Sequence, residues 1–435
     1  LVLMSNLLEI ELRLAERYIK LIKDSGRLEN IPKLNAAEEL LRNRFGNSNQ
    51  AKRSKLLLAE LLSWRDSLRE ALSLCEEIIE YFGFDQDALF QKVIILIQMG
   101  DLIEAEKILE ILQKANPCSS IFQRYQAMCK FQTDRISEGW EDAKLAFNFS
   151  NLRIRYDNLV PWSGEDFRKA VVVVSMLDVR GGGDEIMFSS ALALLIEEVE
   201  LCFIETDLRS FELYTSSFED CIVFVKGNEP WKEMGIDIDF HIWSRELAPY
   251  FFSSSEKFQN KPGYLRISSN QQKHWNTKIN SLGEGKKKIG ICWTSLNRIG
   301  PNQPCTSVLS DWGPIFKIPD SMFINLHSLD GEDEVESAKK EFGIDFINVE
   351  GADFLNCFDH VAGVAKACDV VVALPTTVSN IAGAVGARVI ELRPSYTPYC
   401  MDVLPWYPNH QRYYRTWDQS YRGAIERAAK EVRAL

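Results

Sequence analysis

Three consecutive glycines precede two carboxylates in the segment Gly181-Gly182-Gly183-Asp184-Glu185. Glycines allow backbone N–H groups to approach a ligand closely, and the start of a helix favours negative charge. Asp184 would repel a phosphate at that point, but its carboxylate suits the acceptance of a proton from a hydroxyl group. Asp is also a frequent helix N-cap. The spacing alone therefore predicts either a general base or an N-cap at Asp184.

A hydroxyl-rich turn forms the second candidate site. The apolar run Val370–Leu374 is followed by Thr376, Thr377, Ser379 and Asn380, and then by a stretch typical of a helix. Helix-start amides together with threonine hydroxyls can hold a pyrophosphate. The alternative is an ordinary threonine-capped helix in an α/β domain.

Polar and aromatic residues near the C-terminus could belong to the same site. Glu391 and Arg393 stand at the end of a predicted strand, where they could reach a ribose or a phosphate, or form a surface ion pair. Trp406, Tyr407 and Arg412 could line a cleft, or pack a final segment against a sheet. The sequence leaves these alternatives open.

The sequence gives little support for a dinucleotide site, a P-loop or a metal site. Ile186 breaks the Gly-x-Gly-x-x-Gly dinucleotide pattern, and no Walker lysine follows either candidate loop. The pattern at 237–239, Asp-Ile-Asp, is predicted to lie at a strand edge or turn rather than in a metal site. The ten cysteines and five histidines lack zinc-ligand spacing. We therefore expect no metal, and reduced, mostly buried thiols in a cytoplasmic protein.

Composition narrows the class of protein. The chain has 435 residues, of which 46% are hydrophobic and 26% charged, and these fractions are typical of globular proteins. The length suggests about three domains. The net charge of −12 argues against nucleic acid as the principal partner. No apolar run approaches the roughly 20 residues of a transmembrane helix.

A repeat precedes the candidate sites. Ala71, Ala105 and Gly139 recur every 34 residues, and the positions three residues before each of them are apolar. Small residues at this period allow two antiparallel helices to approach closely, and the pattern resembles the tetratricopeptide repeat. A plain helical bundle is the alternative. Residues 1–50 are also helical by periodicity but lie outside the clear repeat.

The pattern changes near residue 151 to apolar runs that alternate with helical segments, which is typical of parallel α/β domains. We expect the basic run Lys286–Lys288 to be a solvated linker. Strands are predicted at Ala170–Met176, Leu201–Glu205, Cys221–Val225, Ile289–Trp293, Met322–Leu326, Asp345–Val349, Val370–Leu374 and Arg388–Leu392. Helices are predicted at Ile186–Glu198, Phe211–Phe218, Glu332–Phe342, His360–Ala367 and Val378–Val385.

The predicted architecture is an α/β protein with two Rossmann-like domains that follow an all-α region of tetratricopeptide-like repeats. The predicted units are a helical segment at 1–50, repeats at 51–150, a first Rossmann-like domain at 151–285 and a second Rossmann-like domain at 286–435. Ligands of open α/β sheets bind at the carboxyl ends of the strands. We therefore expect the active site in a cleft between the last two units.

Five motifs in order resemble those of one family. They are Gly182–Phe188, Ile289–Trp293, Cys368–Val372, Thr376–Gly386 and Pro405–Pro408. The chain, over roughly residues 55–435, resembles tetratricopeptide-linked bacterial glycosyltransferases, which are similar to the lipopolysaccharide heptosyltransferases and have the GT-B fold.

The resemblance implies metal-independent, inverting transfer of a sugar from a nucleotide-diphosphate donor, without a cofactor. Asp184, preceded by the glycines 181–183, would be the base that deprotonates the acceptor. The donor would be held by residues of the C-terminal half, which we predict to be Thr376, Thr377, Ser379, Asn380, Trp293, Arg298 and Glu391. The repeats would recruit a protein or glycan acceptor, and homo-oligomers are possible through the helices.

Three departures from the family pattern bear on activity. Pro375 replaces an aspartate, Asn380 replaces a histidine, and Arg298 is the candidate for a basic residue otherwise missing after Trp293. A catalytically degenerate scaffold protein is therefore the alternative function. A nucleotide-sugar epimerase on a similar fold is a third possibility.

Overall fold

The computed structural model describes residues 2–25, 28–42, 48–146, 158–177, 181–258, 263–296, 298–327, 332–395 and 405–435. Within these ranges the chain forms a helical region followed by two α/β domains, each with a parallel sheet. This arrangement confirms the expected fold class. No helix among the described residues is long and apolar enough to cross a membrane.

The helical region is built from helices that pack in successive pairs. Ala71, Ala105 and Gly139 each occupy the fourth position of the second helix of a pair and are buried. A Cβ at Gly139 would lie 2.5 Å from the Phe131 ring, so this position requires glycine for close packing. The 34-residue repeat is thus confirmed. The helices are α1 Val2–Asp24, α2 Ile31–Arg42, α3 Asn49–Trp64, α4 Leu68–Phe82, α5 Gln86–Met99, α6 Leu102–Ala115, α7 Ser120–Gln132 and α8 Ile136–Ala146.

The first α/β domain has four parallel strands in the order β3-β2-β1-β4. Its strands are β1 Val171–Ser175, β2 Leu201–Thr206, β3 Ile222–Val225 and β4 Phe240–Trp243, and its helices are α9 Gly182–Phe188, α10 Leu192–Leu195, α11 Leu208–Ser217, α12 Pro230–Met234 and α13 Ser244–Phe251. Strand β4 was not predicted, because its four residues include a histidine and no run of β-branched side chains. The Asp239 carboxylate accepts the Val171 N–H at 2.8 Å, which confirms the strand-edge interpretation of 237–239.

The second α/β domain has six parallel strands in the order β10-β9-β8-β5-β6-β7, which is the doubly wound Rossmann order. Its strands are β5 Lys287–Cys292, β6 Ser321–Asn325, β7 Phe346–Asn348, β8 Val370–Ala373, β9 Val389–Pro394 and β10 His410–Arg415. Helix α14 Ser269–Leu282 lies between β4 and β5 in the chain, and the helices that follow β5 are α15 Gly313–Phe316, α16 Glu332–Phe342, α17 Phe358–Ala367, α18 Thr377–Ala384 and α19 Arg422–Ala434.

Three predictions on local structure were wrong. Strand β10 was missed, because its sequence His-Gln-Arg-Tyr-Tyr-Arg carries no apolar run. The basic run 286–288 is not a linker: Lys287 and Lys288 open β5, and Lys286 pairs with Asp345 at 2.9 Å. The helix expected at Ile186–Glu198 begins four residues earlier and changes to a 3-10 turn at Ser189.

Helix α14 precedes β5 in the chain and packs against α17, a helix of the second α/β domain. The contact is close, because a Cβ on Gly363 would collide with the indole of Trp275. Trp275 is buried. The boundary at 285/286 between the α/β domains stays a prediction.

Candidate functional site

A cavity of about 400 Å³ lies at the carboxyl ends of strands from both sheets. The first α/β domain contributes Gly181, Gly183, Asp184 and Arg209 to its lining. The second domain contributes residues of β5 and β9, residues that follow β5, β6, β7 and β8, and residues on either side of the start of β10. The expected cleft between the two sheets is therefore present as a single cavity with walls from both domains.

Asp184 is the third residue of helix α9, and Gly181 is the N-cap. Gly181 has an extended backbone with φ −152°, and Asp184 is half-buried at the cavity wall. The N-cap interpretation of Asp184 is therefore wrong. Asp184 thus lies in the first turn of α9, where the positive end of the helix dipole favours a negatively charged side chain.

Gly182 and Gly183 form the contact between the two α/β domains. A Cβ at Gly182 would collide with the Phe358 ring at the start of α17. A Cβ at Gly183 would lie 2.7 Å from Asn380 Nδ2 and 3.6 Å from Thr377 Oγ1, both on α18. The glycines thus bring α9 directly onto the helix that carries the hydroxyl-rich turn, and Asp184 is placed next to that turn.

Thr376 caps helix α18 through a reciprocal pair of hydrogen bonds. Its backbone N–H donates to Ser379 Oγ at 3.1 Å, and its Oγ1 accepts the Ser379 N–H at 3.4 Å. Thr376, Thr377 and Asn380 also line the cavity. The two alternatives for this turn are therefore compatible, because the helix is threonine-capped and its first residues face the cavity.

Behind this turn lies a buried ionic cluster centred on Glu391. Ser379 Oγ donates to its Oε1 at 3.1 Å, and Arg393 Nη1 donates to its Oε2 at 2.9 Å. Arg412 Nε lies 3.4 Å from Glu391 Oε2. Burial acts to raise the pKa of Glu391, but Arg393, His410 and Arg412 together hold it well below its usual range.

The ionised state of this cluster follows from its surroundings. Burial lowers the pKa of His410, so its imidazole is neutral at pH 7. One carboxylate and two guanidinium groups then leave a net positive charge beside the cavity. Glu391 and Arg393 are buried, so the alternative of a surface ion pair is wrong. Glu391, Arg393 and Arg412 all line the cavity.

Glu185 follows Asp184 but faces the opposite direction, into the first α/β domain. It is buried, and Thr206 Oγ1 donates a hydrogen bond to its carboxylate. Burial raises the pKa of Glu185 to about 7, against the opposing effect of the hydroxyl donors. The Tyr214 hydroxyl donates to the Glu185 carbonyl at 3.1 Å. Glu185 therefore braces helix α9 rather than lining the cavity.

Three residues predicted for the donor side lie away from the cavity lining. Trp293 is fully buried, and its ring packs against His327 and Phe346. Arg298 pairs with Glu334 at 3.0 Å. Ser379 is likewise buried, and it acts through Thr376 and Glu391 rather than from the wall itself.

The aromatic residues before β10 both line the cavity and pack the domains together. Trp406 and Tyr407 are buried and belong to the cavity wall. The Trp406 ring lies 5.7 Å from the Phe188 ring at the end of α9. A Cβ at Gly383 would lie 2.7 Å from Tyr407 Cγ, so Tyr407 packs closely against helix α18. Both sequence interpretations of these aromatic residues therefore hold.

Sequence reasoning missed Arg209 and His327, which also line the cavity. Arg209 Nε donates to Asp207 at 2.7 Å, and its guanidinium lies 5.2 Å from the Phe358 ring centroid, across the domain contact. Arg209 follows β2 and His327 follows β6. The rule that ligands lie beyond the carboxyl ends of parallel strands could have found both.

The thiols give no sign of a metal site. The cysteines among the described residues are free, and those at 75, 129, 202, 292 and 305 are buried. Burial raises the pKa of Cys292 to about 11, so this cavity-lining thiol is neutral. Cys400 lies outside the described residues. No group of three potential metal ligands occurs among the residues that the structure describes.

Comparisons with known proteins find one curated relative by sequence. No family model matches. Protein FlbA of Caulobacter vibrioides is 26% identical over 321 residues, covering 69% of this chain and 53% of FlbA. The chain therefore spans about half the length of that curated relative.

Two solved structures are among those to which this chain is similar. E. coli ADP-heptose lps heptosyltransferase II is 12% identical, with a TM-score of 0.46, and matches 61% of this chain and all of its own. A mutant of Thermobaculum terrenum O-GlcNAc transferase is 12% identical, with a TM-score of 0.34, and matches 99% of this chain and 92% of its own.

Proposed function

We propose that this chain is a metal-independent, inverting glycosyltransferase. It moves a sugar from a nucleoside diphosphate donor to a hydroxyl of a protein or glycan acceptor recruited by the helical repeats. The observation that carries the proposal is one shared cavity. Asp184 of the first α/β domain and the helix start at Thr376 and Thr377 of the second line it together.

Asp184 is the proposed general base. The acceptor oxygen attacks the anomeric carbon from the side opposite the diphosphate, and its proton passes to the Asp184 carboxylate. The new bond to the acceptor oxygen forms as the bond to the diphosphate oxygen breaks, and the diphosphate leaves with that electron pair. This single displacement inverts the anomeric centre. General base assistance of this kind contributes roughly 10²- to 10⁴-fold in rate.

The leaving diphosphate is proposed to sit at the start of α18. The first N–H groups of a helix have no partner within the helix and attract anions. The Thr377 hydroxyl adds a donor at the cavity wall, and Arg393 and Arg412 supply the positive charge. This arrangement replaces the histidine and the basic residue that the family pattern has elsewhere. Preorganised donors aimed at developing negative charge are a large source of catalysis without a metal.

The ionised Glu391 is proposed to accept a hydrogen bond from a ribose hydroxyl of the donor. Its low pKa keeps it an acceptor throughout the physiological range. Its contacts with Arg393 and Ser379 hold its position.

The helical repeats are proposed to bind the acceptor. Stacked helix pairs form extended surfaces that suit peptide segments. A catalytically degenerate scaffold is the alternative, and the substitution at Asn380 favours it. Asn380 lines the cavity and also packs against Gly183 at the contact between the two α/β domains.

Nucleotide binding tests the proposal. The thermal unfolding midpoint of the full chain is measured with UDP, GDP, ADP, CMP and dTDP at millimolar concentration. A ligand at about 100 times its dissociation constant stabilises the native state by roughly 2.7 kcal/mol, which raises the midpoint by a few degrees. We expect a selective rise with one base. If no nucleotide raises the midpoint, the transferase proposal fails and the scaffold alternative gains.

A further inference from the structure

The segment that follows β5 connects the cavity to the helical region. Its first residues, Thr294, Ser295 and Leu296, line the cavity, and Cys305 returns to the cavity wall. Between them, Ile299 is buried, with 5% of its surface exposed, in the apolar cluster that helices α1 to α5 form. We call residues 294–296 and 298–305 the cavity loop. Its two ends face the ligand space while its middle lies in the core of another region.

The contact at the middle of the cavity loop is close. Gly300 has φ +78°, in the left-handed region that favours glycine, and a Cβ there would lie 2.9 Å from Ile22 Cγ2. Ile22 is fully buried on α1. The turn Gly300–Cys305 contacts both α1 and α3. The cavity loop therefore has little room to shift without disturbing these helices.

Arg415, at the end of β10, forms a second connection. Its Nη2 donates to Asp66 Oδ2 at 2.8 Å in the turn between α3 and α4, and to the Pro304 carbonyl at 3.1 Å. The Tyr421 hydroxyl donates to the same carbonyl at 2.8 Å, and the Arg415 guanidinium lies 5.0 Å from the Tyr421 ring centroid. One buried guanidinium thus joins the helical region, the cavity loop and the second sheet.

The end of β9 has a related contact. Ser395 Oγ donates to the Gln98 carbonyl on α5 at 3.3 Å. Ser395 lies two residues after Arg393, which lines the cavity. Two chain segments that border the cavity are therefore attached to the helical region.

We propose that Ile299 and Arg415 are positioning residues, through which the helical region fixes the cavity loop and so sets the affinity for the nucleoside diphosphate. The part of this inference that concerns affinity rests on the proposed function. The helical region is then a structural part of the donor site as well as the surface that recruits the acceptor. Binding of a macromolecule to α1–α5 would alter donor affinity through the same contacts.

Hydrogen–deuterium exchange of the full chain without ligand tests the positioning directly. In Ile299→Ala we expect amides of 298–307 to exchange about ten-fold faster, because local opening of the loop costs less free energy. In Ile299→Val, which keeps most of the side chain, we expect these amides to exchange nearly as slowly as in the wild type. Ile108→Ala is the matched control, since Ile108 is 6% exposed in α6, outside the loop contact. It leaves the exchange of 298–307 unchanged.

Asp66→Asn provides a second variant that removes the ion pair with Arg415 and little packing. Exchange of 298–307 rises here too, and Kd for the diphosphate that stabilises the wild type, chosen among UDP, GDP, ADP and dTDP, rises about five-fold or more. Asp142→Asn, which breaks the Lys130–Asp142 pair within the repeats, leaves both quantities unchanged.

Unchanged exchange in both Ile299→Ala and Asp66→Asn would overturn the positioning role. Faster exchange with an unchanged Kd would overturn the link to donor affinity. If the wild-type chain binds none of the four diphosphates, the proposed function is contradicted. The proposed effect of the helical region on donor affinity is then contradicted as well. The exchange result still decides whether the helical region holds the loop.

Discussion

Asn380 Nδ2 lies 2.7 Å from the position that a Cβ on residue Gly183 would occupy. This relationship joins the glycine segment of one α/β domain to the hydroxyl-rich turn of the other, and it places Asp184 beside Thr377. The glycines were expected to admit a ligand to the backbone. In the structure, Gly182 and Gly183 instead allow side chains of the second α/β domain to pack closely against helix α9. The cavity lies beside this contact between the domains.

The alanine variants of the three consecutive glycines are expected to differ in their free energy of unfolding. Gly182→Ala is expected to destabilise the fold by about 1–3 kcal/mol, because its Cβ meets the ring of the buried Phe358 and the core is already full. Gly183→Ala is expected to cost less, since it meets the end of the Asn380 side chain, which can rotate. Gly181→Ala is the control, because nothing lies within 4 Å of a Cβ there.

Urea unfolding of the three variants checks this order. If Gly181→Ala destabilises the chain as much as Gly182→Ala, the glycines serve backbone flexibility rather than close packing. Asn380→Ala combined with Gly183→Ala is expected to recover the stability that Gly183→Ala alone loses to the clash.

The charge beside the cavity predicts the effect of removing Arg412. In Arg412→Ala the Kd for the stabilising nucleoside diphosphate is expected to rise roughly 10- to 100-fold, as for the loss of a charged hydrogen bond. Arg427→Ala is the matched control: this exposed arginine bonds to the Tyr414 carbonyl, away from the cavity. Titration calorimetry measures both. Equal Kd values for wild type and Arg412→Ala would remove this arginine from the phosphate site.

Glu185 predicts a pH dependence of stability. Its pKa is about 7 in the folded chain because of burial, above the ordinary value of 4.5. The unfolded chain therefore releases this proton near pH 4.5, while the native chain keeps it until near pH 7. The contribution of Glu185 to stability is fully present below pH 4.5, falls as the pH rises between these values, and is lost above pH 7. The total loss is about 3 kcal/mol.

Thermal unfolding between pH 4.5 and 8 checks this sign. Glu185→Gln is expected to be more stable than wild type at pH 8, with the advantage shrinking towards pH 4.5. Glu197→Gln, an exposed neighbour on the same domain, is the control and follows the wild-type curve. An advantage of Glu185→Gln that is constant with pH would show that the carboxyl does not titrate in this range.

Buried parallel strands were predictable, because a strand covered on both faces consists of apolar side chains throughout, as in Val370–Val372. Strand β10 was not, because it lies at the edge of the sheet and most of its side chains are half-buried or exposed. Edge strands need no apolar run to pair through their backbone.

The candidate site was predictable where it lies near or beyond the end of a strand, as at Arg393 and Thr376, and less so where the direction of a side chain decides. Cys292 and Trp293 are neighbours at the end of β5, and successive residues of a strand point to opposite faces. Cys292 lines the cavity while Trp293 enters the core. The sequence motif around them does not indicate which of the two side chains faces the cavity and which faces the core. Arg209 reaches the cavity wall beside Phe358 of the other domain, a contact that no local pattern encodes.

Nucleotide release tests the central claim most directly. Wild type and Asp184→Asn are incubated with the nucleotide sugars of the stabilising diphosphate and a dialysed cell extract as the source of acceptor hydroxyls. We expect the wild type to release the diphosphate, and Asp184→Asn to release it at least about 100-fold more slowly while still binding it. Asp237→Asn, an exposed aspartate away from the cavity, should match wild type. Release by Asp184→Asn at the wild-type rate, or no release by the wild type, would contradict the account.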